Sequence, residues 1–250
     1  MTGYHPIHLG LQHNVIYNDQ PWGLPLHYKT LPQYLQRFGY ESHIVGKWHL
    51  GFFDRQYLPT RRGFTSHFGY WTGHIDYYDR TSGRDPIGFD FSENEKPVSL
   101  SSYEGQYITH IITNKSVEII MKSDERPLFL LVSHNAVHTS NKENDPVQVP
   151  LNYMDQFKHI ENLKRRKFCA MVSTLDESVG EILSALKTVN KLNETIFIFS
   201  TDNGGATGGT TRRSIDNSIG SNWPLRGLQP IYFTNISYFY SEIRFKIHSL

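Results

Sequence analysis

Apolar residues recur at helical spacing in three stretches of the chain and crowd into short β-branched or aromatic runs in three others. Leu31, Tyr34, Leu35 and Phe38 fall at i, i+3, i+4 and i+7, with Thr30 placed to cap and Gly39 to stop the segment, which predicts a helix. Tyr107 to Met121 carries Ile108, Ile111, Ile112, Ile120 and Met121 on one amphipathic face, although Asn114 weakens its middle. From Phe168, the residues Met171, Val172, Leu175, Val179, Ile182, Leu183 and Leu186 keep helical spacing for several turns. The runs Tyr40 to Val45, Pro127 to Ser133 and Thr195 to Ser200 read instead as strands, the last two covered on both faces. Helix alternating with strand argues for an α/β sheet with helices on its faces. Residues 52 to 105, dense in aromatics, glycine and polar groups, predict irregular structure over one rim of the sheet, and residues 204 to 222 predict a mobile loop.

Each predicted strand empties into polar residues. The first runs into Gly46-Lys47-Trp48-His49-Leu50-Gly51, the second into His134-Asn135-Ala136-Val137-His138, and the third into Asp202-Asn203-Gly204-Gly205. Open α/β folds place ligands at the carboxyl ends of their strands. Lys47 offers a positive charge for an anionic group, and His49 and His138 can bind an anion or move a proton near neutral pH. Asp202 and Asn203 offer hard oxygen donors suited to Ca²⁺ or Mg²⁺ rather than zinc. Together these residue types imply a tetrahedral oxyanion ester as substrate. Each has a plainer reading: Asp-Asn-Gly is ordinary turn chemistry, and Gly46 to Gly51 could be a solvated turn anchored by Trp48. His134 reads as structural.

Composition narrows the classes further. A chain of 250 residues with a formal net charge of +1 and 20% charged residues shows no signature of a nucleic-acid or membrane-surface protein. No apolar run approaches the roughly 20 residues of a membrane span, and the first residues lack the basic and apolar parts of a signal peptide. Cys169 is the single cysteine, so no internal disulfide forms, and its helical apolar surroundings suit a small buried hydrophobe. Asn114, Asn193 and Asn235 each begin an N-glycosylation triplet, which matters only in a secretory setting.

Five motifs, in order along the chain, resemble the sulfatase family: Thr2-Gly3-Tyr4, Leu9-Gly10-Leu11-Gln12-His13, Gly46-Lys47-Trp48-His49-Leu50-Gly51, Thr201-Asp202-Asn203-Gly204-Gly205 and Asn222-Trp223-Pro224-Leu225-Arg226-Gly227. Within the family the likeness is to the arylsulfatase B, or N-acetylgalactosamine-4-sulfatase, branch. The resemblance implies an alkaline-phosphatase-like α/β sandwich with a mixed, mostly parallel central sheet and helices on both faces. It implies hydrolysis of sulfate esters, on sulfated carbohydrate or aryl sulfate, at one calcium ion and a formylglycine made from cysteine. It also implies that Asp202 and Asn203 are half of the calcium ligands, that Lys47 and His49 bind sulfate and steady the formylglycine hydrate, and that His138 contacts the sulfate or the leaving oxygen. A lysosomal or secreted location follows from the same likeness.

The departures from the family pattern are as informative. The paired aspartates and the Cys-x-Pro-Ser-Arg nucleophile segment, which the family places before Thr-Gly-Tyr, do not occur, and Leu228-Gln229-Pro230 stands where a catalytic lysine is expected. The expectation is a partial sulfatase domain over residues 1–227, truncated at both ends and inactive alone, with residues 228–250 an unrelated tail. A phosphate-ester or phosphodiester hydrolase of the same superfamily and a non-catalytic sulfated-sugar-binding protein are the alternatives.

Overall fold

In the computed structural model of the protein, residues 1–12, 15–83, 87–205 and 220 are described. The first helix, α1 (Leu31–Leu35), continues as a 3-10 turn over Gln36–Phe38 and stops at Gly39, whose φ of 76° suits glycine. The Thr30 amide donates to Gln33 Oε1 at 2.9 Å, which satisfies one orphan group of the first turn. The predicted helix therefore forms, but its apolar stripe stays uncovered, with Phe38 75% exposed. What docks the helix is Pro32, which is buried, and the Thr30 hydroxyl, which donates to the Arg62 carbonyl at 2.5 Å.

The strands are β1 (Glu41–Lys47), β2 (Ser66–Tyr70), β3 (Thr81–Ser82), β4 (Gly88–Phe89), β5 (Ser92–Glu93), β6 (Lys96–Pro97) and β7 (Leu128–Ser133). Five of them form a mixed sheet in the order β6-β5-β2-β1-β7, in which β1 runs parallel to both β2 and β7 while β5 and β6 are antiparallel additions. β3 and β4 make a separate two-stranded ribbon. The central strand β2 lies inside the region expected to be irregular. Its sequence, Ser-His-Phe-Gly-Tyr, hides it because a polar imidazole, His67, is fully buried and spends Nε2 on the Gly46 carbonyl at 3.2 Å.

Side chains alternate across the sheet, as the strand period of two demands. Val45, Phe68 and Tyr70 pack against α2 (Ile108–Lys122) through Ile108, Ile111 and Ile112 and against α3 (Leu163–Thr188) through Met171. Leu128, Leu130 and Val132 meet Ile120, Ile182 and Leu186 on the same side. Ile44, Trp48 and Phe64, joined by Phe129 and Leu131, close the opposite face. Burial of side chains this large is worth about 1.5–3 kcal/mol each, so these layers hold the sheet's orientation.

The two long helices meet through small residues. Ala170, Thr174 and Ser178 of α3 face inward, whereas Val172 and, on α2, Met121 stand 43% and 48% exposed, against expectation for both. Small side chains let the helices approach closely, and a polar chain crosses the seam: Thr113 Oγ1 donates to Ser178 Oγ at 2.7 Å, and Ser178 Oγ lies 3.0 Å from His134 Nε2. His134 is thus tied to α3, in keeping with a structural role. Cys169 lies half-buried on the same helix.

The third predicted strand is not found. Residues 195–200 run outside every ladder, and Ile196, Ile198 and Phe199 are 84%, 60% and 64% exposed. A strand is held by its ladder and its covered faces, and no described strand pairs with this run. β7 is an edge strand of the described sheet, with all six residues half-buried. Of the expected loop over 204–222, residues 206–219 and 221–222 lie outside the described residues, as does the whole of the expected tail over 228–250.

Burial holds the pKa of His67 and of His134 at about 4, against an ordinary value near 6.5. The unfolded chain binds protons at these rings first as the pH falls, so their contribution is complete above pH 6.5 and is lost toward pH 4. The urea midpoint should fall across that window, and His134→Gln should flatten the slope, each histidine contributing up to roughly 1.4 kcal/mol per pH unit. A midpoint independent of pH between 6.5 and 4 would contradict this.

Candidate functional site

The site is built on the turn at the carboxyl end of β1. Gly46 has φ 108°, and a Cβ there would lie 2.0 Å from the Ser133 carbonyl oxygen, so only glycine lets β1 approach β7 this closely. The backbone then passes Lys47 and enters the loop that Trp48 anchors. Its buried indole donates from Nε1 to the carbonyls of Gly51 and Tyr57, each at 3.0 Å. Trp48 is an anchor, as the turn reading supposed, but Lys47 and His49 on either side are half-buried rather than solvated.

Among the described residues no acceptor receives a hydrogen bond from the Lys47 ammonium. Burial lowers its pKa, and the Asp202 carboxylate raises it. A partly desolvated cation with uncommitted donors is well suited to an anion. His49 sits in the left-handed region at φ 54°, with its amide donating to the Trp71 carbonyl at 3.1 Å. Its Nε2 faces the Ile16 carbonyl at 2.9 Å, and since a carbonyl only accepts, Nε2 carries the proton and Nδ1 is left as an acceptor in the neutral ring. Gly73 makes room for that ring, because a Cβ there would lie 2.8 Å from His49 Cε1. Burial, then the nearby Lys47 charge, hold the His49 pKa at about 4 despite the opposing Ile16 hydrogen bond.

His138 reaches the same rim from the loop after β7. Tyr77 fixes that loop from below, its hydroxyl donating to the carbonyls of Asn135 at 3.0 Å and His138 at 2.7 Å. Asn135 is itself held between the Tyr70 hydroxyl at 3.0 Å and the Ile75 carbonyl at 3.1 Å. The His138 ring donates from Nδ1 to the Thr139 carbonyl at 2.8 Å and stacks on His74 with centroids 5.1 Å apart. Its edge reaches solvent, yet desolvation by the protein around it lowers its pKa; the Thr139 hydrogen bond raises it, Lys47 lowers it and Asp202 raises it.

Asp202 and Asn203 arrive on the irregular segment rather than at a strand end. Thr201 Oγ1 donates to the Asn203 carbonyl at 2.7 Å, and Asn203 Nδ2 donates to the Gly204 carbonyl at 2.9 Å. The Asp202 charge is felt at Lys47, His49, His138 and Tyr70, so these groups share one electrostatic neighbourhood. Tyr70, Gly73, His74, Tyr77 and Asn135 were not singled out from sequence. Tyr77 lies in an aromatic-dense region without periodicity, and Asn135 has no signal of its own beside His134.

Calcium takes six to eight oxygen ligands. Asp202 and Asn203 have the right donor chemistry but supply two, and among the described residues no group of three or more His, Cys, Asp or Glu side chains could hold a metal. The described residues therefore do not fit a calcium ion, and no chemical step is assigned to one. Cys169 lies half-buried within α3, not on these loops.

Residues 1–231 match the family model described as Sulfatase. The chain is 40% identical over 236 residues to arylsulfatase J of Mus musculus, covering 93% of this chain and 37% of that protein. It is 30% identical over 210 residues to N-acetylgalactosamine-6-sulfatase of Canis lupus familiaris, covering 81% and 37%. The chain thus spans little more than a third of the length of these relatives. Among solved structures, Ps i-CgsB in complex with k-i-k-neocarrahexaose superposes with a TM-score of 0.77 at 28% identity, over 90% of this chain and 49% of that one. The putative sulfatase yidJ from Bacteroides fragilis, at a TM-score of 0.64, 23% identity and coverage of 88% and 52%, shares the fold.

Two substitutions test the scaffold. Gly73→Ala should displace the His49 ring and destabilise the protein by about 1–3 kcal/mol, seen as a lower melting temperature with a shifted His49 imidazole resonance. Tyr77→Phe should cost about 1–3 kcal/mol and broaden the His138 resonance by releasing two carbonyls. An unmoved His138 signal would show that Tyr77 does not hold the loop.

Proposed function

The chain belongs to the sulfatase family, and on that premise we propose that Lys47, His49 and His138, with Asp202 beside them, form the pocket in which a sulfuric ester hydrolase holds its sulfate group. The observation that carries this reading is the shared field of a partly desolvated lysine, whose ammonium makes no hydrogen bond among the described residues, and two histidines of lowered pKa. Lys47 would bind a sulfuryl oxygen and offset the charge that grows there as the ester bond breaks. His49 Nδ1 and His138 Nε2, the ring nitrogens left without a proton in the neutral forms, would accept a proton from a hydroxyl group or, once protonated, donate to the sulfate or the leaving oxygen.

The substrate class that fits is a sulfated carbohydrate or an aryl sulfate. The 4-sulfatase likeness of the motifs remains part of this proposal, with relatives named for arylsulfatase J and N-acetylgalactosamine-6-sulfatase widening the choice of sulfated position. A lysosomal or secreted setting belongs to the same proposal. There Asn193, exposed at the 3-10 turn Leu192–Glu194, is a better acceptor for a glycan than Asn114, whose triplet ends in the buried Ser116 of α2. Asn235 lies outside the described residues. No helix among the described residues is long and apolar enough to cross a membrane.

Calorimetric titration with sodium sulfate tests the pocket. Lys47→Ala should weaken binding by about 10-fold or more, the scale of one hydrogen bond to a charged group. Because an anion favours protonated imidazole, the parent should bind more tightly at pH 5.5 than at pH 7.5, and His138→Gln should remove part of that gain. Equal affinity in Lys47→Ala and the parent would overturn the reading. Calcium titrated into the same chain should bind weakly, and tight stoichiometric uptake would show that further donors surround Asp202 and Asn203.

A further inference from the structure

Two contacts hold His49, and both are made to backbone carbonyls outside its own loop. Its amide donates to the Trp71 carbonyl at 3.1 Å, and its Nε2 donates to the Ile16 carbonyl at 2.9 Å. A carbonyl fixes a ring only as firmly as its own segment is fixed. Trp71 lies just past the end of β2 at Tyr70, and Ile16 belongs to no helix or strand, so neither segment is held by regular structure there. Asp90 supplies the constraint. Its carboxylate accepts from the Trp71 amide at 3.0 Å, the Thr72 amide at 2.9 Å and Thr72 Oγ1 at 2.5 Å. Burial raises the Asp90 pKa, while the Thr72 hydroxyl and the amides of Trp71 and Thr72 lower it. Neutral donors thus offset this charge, and hydrogen bonds to an ionised acceptor are roughly twice as strong as neutral ones.

The same carboxylate reaches the Ile16 side through a directed chain. An ionised carboxylate only accepts, so the single Thr72 hydroxyl proton points at Asp90, and Thr72 Oγ1 is left to accept from Ser82 Oγ, 2.8 Å away. Ser82 Oγ, with the His74 carbonyl at 3.0 Å as its other acceptor, accepts in turn from Asn18 Nδ2 at 3.1 Å. Asn18 follows Ile16 by one intervening residue, Tyr17. The chain Asn18–Ser82–Thr72–Asp90 therefore ties together the two segments that hold His49, and donors aligned toward one charge strengthen each other. Gly73, against which the His49 ring lies, follows Thr72 directly. The ribbon of β3 and β4 does not need the Asp90 carboxylate, since the Asp90 amide already continues it by donating to the Arg80 carbonyl at 3.0 Å.

We propose that Asp90 is the positioning residue of His49: through Trp71, Thr72 and the Ser82–Asn18 link it holds the imidazole on the rim beside Lys47 as the Nε2–H tautomer. Its place in a sulfate pocket rests on the function proposed above; its hold on His49 does not. Long-range proton–nitrogen NMR on the 250-residue chain reads the tautomer and pKa of each histidine. The parent should show His49 as one tautomer with a pKa of about 4. Asp90→Ala should mix the tautomers and raise that pKa toward the ordinary value near 6.5, because burial is the largest cause of its depression. His67, buried elsewhere in the sheet, should stay at about 4, which shows an intact core. Thr72→Val keeps both amide bonds to Asp90 and cuts only the link to Ser82; it should move His49 the same way by less, and it decides the matter if Asp90→Ala does not fold. An unchanged His49 tautomer and pKa in either folded variant would overturn the inference, as would a His67 shift in step with that of His49. Sodium sulfate added to the parent should shift both His49 and His138. Sulfate that moves neither ring would sink the anion pocket alone, because the tautomer readout needs no ligand.

Discussion

The close approach of β1, β2 and β7 at Gly46 is the constraint on which the rest depends. Gly46 pairs with Gly69 on one side and Ser133 on the other, and a Cβ on either glycine would come within 2.1 Å of a neighbouring backbone oxygen. A larger residue would have to push the strands apart, which close-packed interiors resist. Because the strands converge there, the turn after β1 and the loop after β7 emerge side by side. Lys47 and His49 leave on one, His138 on the other.

Electrostatics adds a second constraint at this rim. Packing that holds Lys47 and His49 also removes water from them, and His138 keeps only its edge in solvent, so the field of each charge is less screened than at an open surface. Lys47 pushes both histidines toward their neutral forms, and Asp202 pulls the other way. In the pocket proposed above, a divalent oxyanion would offset the lysine charge and favour protonation of both rings. Tyr77 and Asn135 form the polar underpinning that keeps His138 on this rim, and the Trp48 anchor does the same for His49.

Much of this was legible in the chain. Thr30 and Gly39 bounded the first helix correctly because capping is local chemistry. β1 and β7 follow from their apolar runs, and the turn and loop that carry Lys47, His49 and His138 begin where those runs end. The misses came from tertiary effects. β2 is hidden because a buried histidine interrupts its pattern; α3 follows from its spacing, with Met171, Ile182 and Leu186 buried, but Thr174 and Ser178 rather than Val172 complete its inward face. Thr195 to Ser200 carried a strong strand signal, but strand propensity expresses itself only against a partner, and none of the described strands supplies one. The polar chain behind His49 has no sequence signal, since it gathers positions as far apart as Asn18 and Asp90.

The shared field around Lys47 is the central claim, and histidine titration by NMR measures it without any ligand. In Lys47→Met the pKa values of His49 and His138 should both rise, and in Asp202→Asn both should fall, with His67, buried elsewhere in the sheet, unmoved. Identical titration curves for His49 and His138 in the parent and both variants would contradict the account, because the residues would then not share a pocket.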